Sequence, residues 1–279
     1  MKKTVAKAKA ICRKRIVATP EIPVMERVHS LLAELEGIGT RERREEMAPR
    51  YGIHTSKAFG VAMSDMQKIA RRIGRDHALA AALWETGWYE AQTLAALIDE
   101  EEKVTPAQMD RWCGDFDNWA ICDTVCFQLF DRTPHAFGKV ERWSRSRAEF
   151  VRRAAFALLA SLALHDQRAA SERFAGCLQL IEDAATDERN FVKKAVNWAL
   201  RAIGERNAEL HRAALAAAAR LADSTDSTAR WVGRDALRQL NRPAVLQRLT
   251  KRGISAFPSR TVAASVILVS RRETRKIAK

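Results

Sequence analysis

Phe150-Val151-Arg152-Arg153-Ala154-Ala155 recurs as Phe191-Val192-Lys193-Lys194-Ala195-Val196 and again as Trp231-Val232-Gly233-Arg234-Asp235-Ala236, at offsets of 41 and 40 residues. Each copy opens on an aromatic residue and runs into Ala and Leu at helical spacing. A period near 40 residues with two helices per unit is the signature of a HEAT-like or armadillo-like solenoid, in which each helix pair buries its apolar face only against its neighbours. Such a stack has one concave face, lined by the second helix of every pair.

The sequence around these copies agrees. Strand signals are scarce: β-branched runs are few, and no Asn-Gly or Asp-Gly turn joins alternating segments. Thr105-Pro106 reads as an N-cap followed by proline in the first helical turn, and Ser64 with Gln67 as a capping box. Gly87 and Gly204 fall where helices should end. The expected fold is all-α, with about a dozen helices of roughly 10 to 20 residues joined by short loops.

The charge is unevenly placed. The chain has 279 residues and a formal charge of +14. Residues 1–15 hold seven basic and no acidic side chains, residues 251–279 eight basic and one acidic, which leaves 33 of each sign in residues 16–250. The division expected is a basic, disordered tail over 1–20, a HEAT-like repeat domain over 21–250, and a basic extension over 251–279. With 47% apolar and 29% charged residues the chain can bury a large core, which excludes disorder as its main state. The longest apolar runs fall short of the roughly 18 to 20 residues of a membrane span, and the N-terminus lacks the apolar segment of an export signal. A cytoplasmic protein with no membrane association is expected.

Five cysteines, an odd and irregular set, point to reduced thiols. Cys122 and Cys126 lie four apart with Cys113 upstream, without the fourth ligand and paired spacing of a metal site; they read as small buried thiols, and no metal or cofactor is expected. The six histidines are scattered and carry no assigned role.

Two sets of residues carry chemistry. Arg153, Lys194 and Arg234 occupy one slot of the repeat, so stacking would set one cation per repeat along a single face, roughly 10 Å apart. That row suits a phosphate backbone, while solvated surface charge is the plainer alternative. In Asp115-Phe116-Asp117-Asn118-Trp119-Ala120-Ile121-Cys122-Asp123, Trp119 and Asp123 share a helix face one turn apart. An aromatic plane beside a carboxylate suits a cationic or cation-developing partner, although a Trp on such a helix is often core and an Asp near a helix start often serves the dipole.

Asn118 to Asp123, Phe150 to Ala155 and Phe191 to Arg201 together resemble the three signature helices of the bacterial DNA alkylation repair glycosylases, the AlkD-like HEAT-repeat enzymes. The resemblance covers roughly residues 50 to 240. It implies a solenoid that cradles duplex DNA in its concave face and hydrolytically removes N3- or N7-alkylated purines as a monomer, without flipping the base. It further implies that Asp123 is the catalytic carboxylate, that Trp119 and Trp198 stand beside the lesion's deoxyribose, and that Arg153 contacts phosphate. No deep nucleobase pocket is evident in the sequence. Family members generally carry a second Asp after the signature Trp, and Ala120 stands there instead. Two other readings follow: a HEAT-like protein that binds damaged or branched DNA without catalysis, and a protein-interaction scaffold.

Overall fold

The computed structural model describes residues 22–251. The basic segments expected as tails lie almost wholly outside these residues. Among the described residues there are fourteen α-helices and no strand: α1 Val24–Ile38, α2 Arg41–Tyr51, α3 Met63–Ile73, α4 His77–Glu85, α5 Tyr89–Ile98, α6 Pro106–Gly114, α7 Trp119–Gln128, α8 Ala136–Trp143, α9 Glu149–His165, α10 Ser171–Ala184, α11 Asn190–Gly204, α12 Ala208–Ala222, α13 Ser227–Leu240 and α14 Pro243–Lys251. A 3-10 turn, Phe130–Arg132, follows α7. No helix among them is long and apolar enough to cross a membrane.

The helices stack in two layers, as the 40-residue period requires. In the inner layer α3, α5, α7, α9, α11 and α13 each pack on the next, and α4, α8, α10 and α12 back them from the outer side. The apolar core runs continuously through the stack, from Val28 on α1 to Leu240 on α13. Repeat proteins gain stability through such neighbour interfaces rather than one central core.

Local signals explain some helix ends and not others. The Thr105 hydroxyl accepts from the Gln108 N–H with Pro106 in the first turn. Ser64 does not cap: α3 begins one residue earlier, at Met63, with Ala62 as its N-cap residue and no side-chain cap. Gly204 is the last residue of α11.

Between α7 and α9 the thiols find a use. Cys122 Sγ lies 3.8 Å from the Phe150 carbonyl oxygen and Cys126 Sγ 3.6 Å from that of Ala154. Contacts that advance four residues on both helices at once make α7 and α9 parallel neighbours. The four-residue spacing of Cys122 and Cys126 thus reflects one packed helix face.

Gly233 occupies the slot held by Arg152 and Lys193 in the other copies, and packing explains the exception. A Cβ there would lie 2.5 Å from the Ala218 carbonyl oxygen and 2.7 Å from the Leu221 carbonyl carbon, with the Ala222 nitrogen closer still. Backbone cannot yield as a side-chain tip can. Gly233→Ala is therefore expected to cost about 2–3 kcal/mol, the upper part of the usual overpacking range, read as a lower urea midpoint with an unchanged m-value.

Candidate active site

The site is built on α7. Asn118 caps this helix, its side-chain oxygen accepting from the Ala120 and Ile121 N–H groups at 3.0 Å each. Trp119 is consequently the first helical residue, and Trp119, Asp123 and Phe127 follow at four-residue spacing along one face. The Trp119 indole N–H donates to the Tyr51 carbonyl oxygen at 2.8 Å, which ties the end of α2 to the start of α7.

Asp123 is held from behind by α9. Arg153 Nε donates to Asp123 Oδ1 at 2.9 Å and Nη2 to Oδ2 at 2.6 Å, while Nη1 donates to the Phe191 carbonyl oxygen at 2.8 Å. The pair is recessed, with side-chain exposures of 7% for Arg153 and 19% for Asp123. Burial pushes the Asp123 carboxyl above the ordinary carboxylate range, and the Arg153 charge and hydrogen bonds oppose that rise.

The expected row of three solvent-facing cations is corrected at its first member. Arg153 is buried and commits its guanidinium to Asp123 and Phe191, because α9 is sunk into the stack: every residue from 153 to 163 on it is buried. Side chains of α7 and α11 meet across α9, with the Phe127 and Trp198 rings stacked at a 5.0 Å centroid distance and 10° between planes. Lys194 on α11 and Arg234 on α13 are exposed, and neither forms an ion pair among the described residues. Arg234 lies beside the exposed Trp231.

Asp123 and Trp119 line an open cavity of about 380 Å³ whose other lining residues are Arg43, Met47 and Tyr51 from the α2 segment and Gly60 to Met63, Tyr89 and Glu90. The buried Glu90 shapes the far wall: its carboxylate accepts the Phe59, Gly60 and Val61 N–H groups at 3.0, 2.8 and 3.2 Å. Gly60 adopts φ +82°, and a Cβ there would run into the Thr40 carbonyl oxygen and, at 2.9 Å, the Arg44 nitrogen. Only glycine lets the loop pass so close to α2. Burial, and to a lesser degree Glu90, push the Tyr89 hydroxyl up to about 12. Ala120 faces Met47, Ile53 and Ala58 in a small apolar cluster that includes Trp119. Trp198 is not part of this cavity wall.

Phe127 and, packed on it from α9, His165 extend the α7 helix face beyond the cavity. Phe127 was legible as the next member of the Trp119 and Asp123 face. His165, to which no role was assigned, has its Nδ1 2.5 Å from Asp131 Oδ2 and its ring edge-on to Phe127 at 5.2 Å. Trp84 and Trp112, by contrast, are buried and stacked on each other at 4.0 Å, as packing residues.

A family model described as DNA alkylation repair enzyme matches residues 31–240. No curated protein matches the chain. Among solved structures, the chain is similar to a member of a protein family related to the HEAT-like repeat DNA glycosylases with affinity for branched DNA structures; 20% of residues are identical, 76% of this chain and 94% of the other are covered, and the TM-score is 0.63. A designed armadillo repeat protein is 16% identical over 80% of this chain and 96% of its own, with a TM-score of 0.35.

Proposed function

The chain belongs to the DNA alkylation repair enzyme family, and from that premise we propose that it is a DNA glycosylase hydrolysing the bond between deoxyribose and N3- or N7-alkylated purines in duplex DNA. The observation that carries this reading is the Asp123 carboxylate, recessed beside the Trp119 ring at a cavity and oriented by two hydrogen bonds from Arg153.

An alkylated purine of this class is already cationic, so its departure needs no strong general acid. The bond from C1′ to the purine nitrogen breaks, its electron pair neutralises the base, and positive charge develops on the sugar. Water then bonds to C1′ and loses a proton. A fixed carboxylate opposes the developing charge better than the ground state, in which that charge resides on the base. Asp123 also orients the attacking water and accepts its proton. The electron-rich indole face of Trp119 adds cation-π stabilisation to the same charge. The direct test is incubation of the purified protein with methylated duplex DNA and analysis of the released bases. Release of 3-methyl- or 7-methylpurine above the spontaneous rate is expected; its absence overturns the reading.

Lys194 and Arg234, exposed and unpaired among the described residues, are proposed to contact DNA phosphates. Replacing both by Ala is expected to reduce the slope of log affinity against log salt by about two, with equal weakening on every sequence. An unchanged slope would remove them from the interface.

A second reading has its own support. Ala120 stands where family members generally carry an Asp, and the similar solved structure belongs to proteins with affinity for branched DNA. A binding protein of that kind holds duplex or junction DNA in a salt-dependent way and releases no base. The same incubation separates the two.

A further inference from the structure

We propose that Trp231 is a stacking platform for one unpaired base of bound DNA, a nucleotide outside the duplex and distinct from the lesion, with cations of α11 and α13 holding the phosphates beside it. The proposal rests on the reading of Lys194 and Arg234 as phosphate contacts. It goes beyond that reading in giving the same face a preference for DNA that carries single-stranded nucleotides.

Of the seven tryptophans in the chain, Trp231 alone is exposed, at 43%. Trp84, Trp119 and Trp143 donate their indole N–H groups to Asp115, Tyr51 and Asp110, whereas Trp231 makes no such bond among the described residues. Its repeat mates differ too. Phe150 and Phe191, in the same slot of α9 and α11, are half-buried and meet with ring centroids 5.4 Å apart, while Trp231 meets no other ring among the described residues. A lone exposed apolar side chain is ordinary on a protein surface, so the surroundings decide its use.

Those surroundings are cationic. Lys193 Nζ stands over the ring, 5.0 Å from its centroid. The ring borders an open depression of about 390 Å³ whose lining includes Arg230, Arg234, Arg238 and one carboxylate, Asp235. Asp235 is paired with Arg238, and Arg230 donates to the Ser224 and Thr225 carbonyl oxygens. Arg234 and, next to Lys193, Lys194 therefore remain to meet a ligand. Cations flanking an exposed indole are the parts of a single-strand site, in which the charges follow the backbone and the aromatic face takes a base of any sequence. Bases within a duplex are covered by their stacked neighbours; one without a partner strand can turn onto the ring. Trp231 lies on α13, three steps along the inner layer from the α7 helix that carries Asp123, so this contact is separate from the chemistry.

The test uses the full chain and a duplex with a short single-stranded tail, compared with the blunt duplex of the same sequence by fluorescence anisotropy. The tailed DNA is expected to bind about tenfold tighter, within the range for one base stacked on an aromatic side chain. A tail of abasic nucleotides, which keeps the phosphates and lacks the bases, should lose that advantage. Trp231→Ala should lose it as well, with blunt-duplex affinity changed by less than about twofold, and Trp231→Phe should keep part of it. The abasic arm uses the parent chain and so decides the matter even if Trp231→Ala is unfolded. Base release from methylated duplex at saturating DNA should be unchanged in the folded variant. An abasic tail that binds as tightly as the natural one, an equal loss on tailed and blunt DNA in Trp231→Ala, or a fall in base release at saturation overturns the proposal. Duplex binding with no preference for the tail overturns it alone; no binding of any of these DNAs overturns it together with the DNA-interface reading.

Discussion

Asp123→Asn lowers base release from methylated DNA by about 10²- to 10³-fold or more, the usual effect of removing one electrostatic contact to a transition state. The substitution keeps the shape of the side chain and one acceptor for Arg153 but removes the charge that opposes the developing sugar cation. It has a second effect that a surface carboxylate would not have. Arg153 is 7% exposed in its side chain and loses its counter-ion, so the variant is also less stable, by about 3 kcal/mol at the low end of the range for broken buried pairs. Single-turnover release at saturating DNA must therefore be measured well below the variant's melting temperature. Release within tenfold of the parent protein in a folded variant would falsify the role of Asp123.

The pH dependence follows from the same burial. Asp123 acts as an anion, and burial raises its pKa above the ordinary value of about 3.9. The acid limb of the single-turnover rate should accordingly fall above that value.

Much of this fold is legible in the sequence because a repeat writes its packing rule three times. The aromatic residue and the Val at matching slots of α9, α11 and α13 mark the same turn of three stacked helices, so two offsets suffice for a solenoid. Depth within the stack is not written there. Arg153 and Lys194 are equivalent by slot, yet one is buried and the other exposed, because side chains of α7 and α11 close over α9. Asp123 and Trp119 were legible as a pair, since both lie on one helix and helical spacing alone puts them on one face. Their cavity was not: its far wall comes from α2 and the loop at Gly60, held in place by Glu90 some 30 residues away in sequence. No local pattern encodes a contact of that kind.

Arg153→Met separates positioning from packing, and its expected effects are as large as those of Asp123→Asn. Methionine fills much of the volume of the arginine stem, so the loss is mainly electrostatic. It removes two hydrogen bonds to Asp123 and one to the Phe191 carbonyl. A carboxylate left alone at that depth costs about 3–5 kcal/mol of stability unless it takes up a proton. Desolvation already raises the Asp123 pKa, and Arg153 is the opposing influence. Without it the carboxyl moves further up, the anion is depleted near neutral pH, and base release falls although Asp123 is still present. The distinguishing result is in the pH profile: the acid limb of the single-turnover rate shifts to higher pH, and alkaline conditions restore part of the activity. A residue that merely filled space would lower stability without moving that limb. The double variant Asp123→Asn/Arg153→Met completes the cycle, since both members of the buried pair are then neutral. Its destabilisation should be smaller than the sum of the two single effects by 1 kcal/mol or more, within the roughly 0.5–3 kcal/mol coupling of contacting residues. Additive losses, or an acid limb that stays in place in Arg153→Met, would show that Arg153 neither stabilises the Asp123 anion nor sets its ionisation.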